Sequence, residues 1–112
     1  MKEFENKIET LEYYIKLLLQ MTEKAKYPFY HLVIQNGLTK KEVEQILQMC
    51  EELSQEHREQ KAQGLLYFTD LLTLFAGQLN PKLDVNETIE AMYEQGLFKE
   101  MMKDFKRLIS RL

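Results

Sequence analysis

Three glutamates and a histidine lie close together in one stretch of the sequence, and these residue types can bind metal ions. Glu52, Glu56 and Glu59 share one face of a predicted helix beside His57. A di-metal site in a helical bundle needs Glu-x-x-His pairs on two helices, and neither histidine of this chain has a glutamate three residues before it. We therefore interpret the cluster as a solvated acidic face, and we predict neither a metal nor a cofactor.

Cys50 and His31 are the other residues whose chemistry could serve catalysis. Cys50 falls in the apolar stripe of a predicted helix, which indicates core packing. His31 stands in an apolar, aromatic segment, where a hydrogen-bonded core or interface histidine is the usual outcome. The sequence has no nucleophile elbow, phosphate-binding glycine loop, dinucleotide fingerprint or zinc-protease motif. We therefore expect a protein without catalytic activity.

Aromatic residues cluster beside His31, at Tyr27, Phe29 and Tyr30. Such residues often anchor protein interfaces, so these four residues are the candidate interaction site. The alternative is a core cluster between the first three helices, and the sequence does not decide between the two.

A second candidate site is a helix-turn-helix-like segment around Gly37, which would read nucleic acid. Its second helix exposes Lys40, Lys41 and Gln45 as possible contacts. Glutamates are interspersed among them and would face the phosphates, so nucleic-acid binding is the alternative hypothesis rather than the preferred one.

Composition limits the class of protein. The chain has 112 residues, enough for one domain spanning 1–112, and it is 45% hydrophobic with a net charge of −3. Acidic residues interrupt the N-terminus, and no later run approaches the roughly 20 apolar residues of a spanning helix. A single cysteine excludes an internal disulfide. These features predict a cytoplasmic protein that is neither secreted nor membrane-embedded.

The first predicted helix runs from Lys2 to about Ala25. Its apolar residues recur at alternating spacings of four and three, which forms a single stripe. The stripe lasts under four heptads, so we expect a bundle helix or a short oligomer contact rather than an independent coiled coil. The residues of the stripe are Phe4, Ile8, Leu11, Ile15 and Leu18.

Capping signals divide the middle of the chain. Pro28 starts a short second helix that Asn36 and Gly37 close, and Thr39 with Glu42 has the spacing of a capping box. The third helix buries an apolar stripe that ends at Leu53, after which a polar segment is predicted to carry it into solvent as far as about Ala62.

Three further helices complete the predicted fold. Thr69 is a candidate cap for a fourth helix that looks buried on most sides, and Asp84 with Glu87 caps a fifth that ends at Gly96. Leu97 or Phe98 opens a sixth, whose apolar spacing continues to Leu112. The pattern predicts an all-α fold, a compact multihelical bundle of about five to six helices.

The segments PFYHLVIQNGLTKKEVEQILQMCEEL and LLTLFAGQLNPKLDVNETIEAMYEQGLF resemble the YhaI-like proteins, a family of small uncharacterised proteins from Bacillus and relatives. The resemblance implies an all-helical, self-associating cytoplasmic protein with no established cofactor or active site. The family has proline where Asp70 stands here, which bears on where the fourth helix starts.

We therefore predict a non-catalytic interaction or regulatory module that forms homo-oligomers, with a dimer as the first expectation. Another protein partner is compatible with the sequence. No motif identifies a biological role, a ligand or an exact oligomeric state.

Overall fold

The computed structural model describes residues 1–23 and 26–111, and this part of the chain contains helices and no strand. The predicted all-α multihelical fold is confirmed. In chain order the helices are α1 (Lys2–Met21), α2 (Pro28–Gln35), α3 (Lys40–Ala62), α4 (Thr69–Gln78), α5 (Val85–Gln95) and α6 (Lys99–Ser110).

Helix α1 ends earlier than predicted, at Met21, and the expected end at Ala25 lies outside the described residues. Thr22 already has an extended backbone, with ψ of 146°. Its hydroxyl bonds to the Leu19 carbonyl and to the His31 ring. A threonine that bonds locally in this way favours leaving the helix, and this explains the shorter element.

Of the two predicted roles of α1, a bundle helix or a short oligomer contact, the first is not seen within one copy of the chain, and the second stays a prediction. No residue of α1 is buried against the rest of the described structure. The molecule extends 60 × 25 × 23 Å, and its radius of gyration is 16.9 Å, where a compact domain of this length would have about 13 Å. Helix α1 is thus an arm about 30 Å long beside a body formed by α2–α6.

The corner at Gly37 has the predicted geometry. Gly37 takes a left-handed φ of 67°, and the Leu38 amide donates to the Val33 carbonyl at 3.0 Å. Thr39 and Glu42 form the capping box: the Glu42 amide donates to the Thr39 hydroxyl, and the Thr39 amide donates to the Glu42 carboxylate. This confirms where α3 begins.

Contacts from the loop before α5 hold Glu42 in place. Lys82 Nζ lies 2.8 Å from one Glu42 oxygen, and Asn80 Nδ2 donates to the other. The Lys82 bond, followed by those from Thr39 and Asn80, lowers the pKa of Glu42 to about 2. One carboxylate therefore joins the start of α3 to the chain that follows α4.

The core of the body lies between helix pairs α2 and α5, α5 and α6, and α3 and α4. At its centre the Phe75 and Phe105 rings meet at a centroid distance of 5.6 Å. The fully enclosed large side chains come from all five body helices and include Phe29, Cys50, His57, Phe75, Ile89, Met92, Met101, Met102 and Phe105.

Helix α4 differs from its prediction in the residue that caps it and in how much of it is buried. Thr69 is the first helical residue and Phe68 takes the cap position, without a side-chain capping bond. Leu71 and Phe75 are buried but Leu74 is 46% exposed. The helix buries one face, with Leu71 and Phe75, rather than most sides, and the helices that contact it are α3 and α6.

The last two helices follow the predicted signals closely. The Glu87 amide donates to the Asp84 side chain, and Gly96 has a left-handed φ of 80°. Helix α6 begins at Lys99, after Phe98 at a φ of 49°, so the predicted opening at Leu97 or Phe98 is slightly early. The predicted apolar position Leu112 lies outside the described residues.

Candidate interaction surface

The apolar stripe of α1 is exposed along its whole length. Each of its five side chains is between 45% and 71% accessible, and Met21 extends the apolar surface at the C-terminal end. Contiguous apolar surface of this kind is rare on soluble monomers and marks interaction sites. We define the seam of α1 as the residues Phe4, Ile8, Leu11, Ile15 and Leu18.

A cavity lies where the C-terminal part of α1 meets α2. Its volume is about 360 Å³, within the roughly 300–1,000 Å³ range of small-molecule pockets, and its lining is almost wholly apolar. Two seam residues, Ile15 and Leu18, form part of its wall, so the cavity is continuous with the seam. The other lining residues are Leu19, Thr22, Tyr27, Tyr30, His31 and Ile34.

Two polar side chains of the cavity, Thr22 and His31, bond to each other. Thr22 Oγ1 lies 3.1 Å from His31 Nε2 and 3.2 Å from the Leu19 carbonyl oxygen. The threonine hydroxyl can donate its one proton to the carbonyl and accept from His31 Nε2, or donate to that ring nitrogen when it carries no proton, so the Thr22–His31 bond can form with either tautomer. His31 therefore ties α2 to the end of α1.

The aromatic cluster divides into buried and exposed halves. Phe29 and His31 are buried, whereas Tyr27 is 51% and Tyr30 48% exposed. The tyrosine rings stack with an interplanar angle of 6° at 6.0 Å. Gln95 Oε1 accepts from the backbone amides of Phe29 and Tyr30, which binds α2 to α5. Two residues serve the core, and two face solvent at the edge of the cavity.

The alternative nucleic-acid site has the exposure it needs but not the charge. Lys40, Lys41 and Gln45 are all exposed at the start of α3. Lys40 Nζ lies 3.8 Å from Glu44, and the shallow groove beside Lys41 also contains Glu44 and Glu52. The mixed charge leaves little net attraction for phosphate.

The acidic residues of α3 face solvent, whereas the cysteine and the histidine of the same helix lie in the core. Glu52, Glu56 and Glu59 are exposed, while His57 turns into the core. Among residues 1–23 and 26–111, no three potential metal-binding side chains converge. Cys50 is fully buried, and burial raises the pKa of its thiol to about 12, which suppresses thiolate chemistry.

A buried polar cluster joins α3 to α6, and the sequence prediction missed it. His57 Nε2 lies 2.7 Å from Asp104 Oδ2, and Lys61 Nζ lies 3.2 Å from the same oxygen. The His57 ring also contacts Phe68 at a centroid distance of 4.5 Å. Burial raises the pKa of Asp104, but the bonds from His57 and Lys61 and their charges outweigh it, so the pKa lies below its usual value.

The polar segment predicted to carry α3 into solvent is thus partly core, since Ser54 and His57 are buried. Helical spacing contains the missed signal. Cys50, Leu53, Ser54 and His57 follow one another at i, i+3, i+4 and i+7, so the buried stripe continues through two polar residues.

The chain matches the model of a protein family along nearly its whole length. The model of DUF1878, described as a protein of unknown function, covers residues 1–110. Within the described part of the chain, none of the helices combines the length and apolar character that crossing a membrane requires.

Proposed function

We propose that this chain, which belongs to the DUF1878 family of proteins of unknown function, is a non-catalytic interaction module that self-associates through α1. The observation that carries the proposal is the uncovered seam. An apolar stripe at least 45% exposed at each residue is unfavourable in water unless another surface covers it.

Without a covering surface, helix α1 would have little stability of its own. Isolated helices are marginal in water, and helices in proteins are stabilised mainly by packing of an apolar face. Helix α1 has 20 residues and buries none of them within the described part of one copy. Covering the seam by a second copy would supply the missing packing, and two-fold dimers are the commonest closed assembly.

We further propose that the protein is bacterial and cytoplasmic, and that it stands with the YhaI-like members of the family. The resemblance of its two central segments to those proteins supports this placement, and a single buried, free cysteine fits a reducing compartment. A regulatory role would follow if self-association controls contact with a further protein.

Sedimentation equilibrium between about 1 and 100 μM tests the proposal. We expect the wild-type protein to be dimeric and the Leu11→Asp variant to be monomeric, because a carboxylate in an apolar interface would be desolvated without a partner. Asn6→Asp is the matched control: it adds the same charge on the opposite face of α1 and should leave the dimer intact.

Circular dichroism should show that both variants keep the helical body. A wild-type protein that stays monomeric throughout this range would refute the proposal. So would a Leu11→Asp dimer as stable as that of wild type.

A further inference from the structure

We infer that two copies of α1 pair in parallel and in register as a two-stranded coiled coil, and that Tyr14 of each copy closes the α1–α2 cavity of the other. The inference rests on the proposed self-association and adds its orientation and its contacts. The residue types of the seam favour two strands, and the flanking charges and the position of the cavity favour the parallel direction.

The seam has the residue types of a parallel dimer. Its spacing makes Ile8 and Ile15 a positions, and Phe4, Leu11 and Leu18 d positions, of a heptad repeat. Isoleucine at a with leucine at d favours two parallel strands over three or four. The register thus favours two helices over three or four.

The flanking charges also select direction. In a parallel pair each g residue meets the e residue of the partner's next heptad. Lys7 occupies g and Glu12 the following e, so a parallel dimer contains this opposite-charge pair twice. In an antiparallel pair e meets e and g meets g. No e position of α1 is basic and no g position is acidic, so that arrangement has no attractive pair.

The cavity adds a third, independent constraint. Leu19 occupies an e position and lines the cavity, and in a parallel dimer it faces the g residue Tyr14 of the second copy. An aromatic ring then covers apolar surface beside Tyr30 and Ile34. An antiparallel pair would instead bring an e residue, Glu5, to this apolar opening, which would desolvate a carboxylate without a partner.

Disulfide trapping tests the orientation. Phe4→Cys should cross-link to itself on oxidation, because facing d positions adjoin in a parallel dimer, while the control Asn6→Cys on the outer face should not. In an antiparallel pair a positions face d positions, and aligning Ile8 with Leu18 would put the two Phe4→Cys sites about 27 Å apart, beyond the roughly 4.4–6.8 Å reach of a disulfide. Ile8→Cys gives a second site in case the first weakens pairing.

Cys50 does not interfere, because it is buried in the body. If Phe4→Cys and Ile8→Cys each fail to cross-link to themselves, while a mixture of Ile8→Cys and Leu18→Cys does cross-link, the parallel arrangement is overturned but self-association stands. If no variant or wild-type protein dimerises, both proposals fail.

Two neighbouring tyrosines test the closure of the cavity. Tyr13 and Tyr14 are 59% and 53% exposed in one copy, yet only Tyr14 occupies a position flanking the seam. We expect Tyr14→Ala to raise the dimer dissociation constant at least about tenfold, and Tyr13→Ala to change it by less than about twofold. Equal effects of the two substitutions would overturn this contact.

Discussion

The arm and the body of this protein differ in how far their apolar side chains are buried within one copy of the chain. The body, α2–α6, encloses side chains such as Phe75 and Phe105 at 0% exposure. The arm, α1, has apolar side chains of the same kinds at a regular spacing and leaves Phe4 71% exposed. Periodicity specifies that a face will be buried, but it does not specify whether the covering surface is in the same chain.

The difference also separates two kinds of stability. The body is stabilised by burial within one copy and should unfold at a denaturant concentration that does not depend on protein concentration. The arm gains its packing from association, so its stability should rise with protein concentration.

The largest expected effect comes from one truncation made in each region. Phe105→Ala should lower the free energy of unfolding of the body by about 3–5 kcal/mol, because it removes an enclosed ring that packs on Phe75. Phe4→Ala should change the unfolding of the monomer by less than about 0.5 kcal/mol and weaken the dimer instead. Urea unfolding at two protein concentrations, with sedimentation, measures both.

If Phe4→Ala destabilises the protein as much as Phe105→Ala does at concentrations where the monomer dominates, α1 belongs to the body after all. The comparison between the two regions would then fail.

A smaller effect is expected at the polar contact that locks α3 to α6. Asp104→Ala should cost about 1–3 kcal/mol, because His57 loses its acceptor in the core. The pKa of Asp104 is depressed in the folded state, so its contribution is complete above the unfolded value of about 3.9 and is lost as pH falls through the lower folded value. Urea unfolding between pH 7 and pH 2 should therefore show a shallower acid loss in Asp104→Ala than in wild type.

Glu100→Ala is the control for this effect. Glu100 is an exposed carboxylate that lies 3.7 Å from Lys61, the lysine that also contacts Asp104. It should change stability by less than about 0.5 kcal/mol at neutral pH. Acid curves of identical shape for wild type and Asp104→Ala would show that the buried pair does not set the pH dependence.

The sequence predicted the fold well wherever a local signal defines an element. Proline at the first turn of α2, the capping box of α3 and the left-handed glycine that ends α5 act through adjacent residues, so they can be read without knowing the fold. Helical spacing places His57 on the buried stripe of α3, but its partner Asp104 is 47 residues away, and no local pattern specifies that pairing.

The residues of the candidate interaction surface were likewise only partly predictable from local sequence. The stripe of α1 was recognisable from spacing alone, but spacing could not distinguish a bundle helix from an exposed seam. The aromatic cluster could not be assigned to core or surface, because Phe29 and Tyr30 differ by one position and about 100° around a short helix. Which of them is buried depends on where α5 lies.

The smallest expected effect on the free energy of unfolding comes from two threonines of the body, one that caps its helix and one that does not. Thr39→Ala should destabilise the protein by about 1 kcal/mol, because the Glu42 amide loses the hydroxyl that accepts its hydrogen bond. Thr69→Ala should not destabilise it, since α4 starts without a side-chain capping bond and alanine suits a helical position. Urea unfolding of the two variants measures the difference. A Thr69→Ala cost equal to that of Thr39→Ala would mean that the threonine hydroxyl caps α4 in solution.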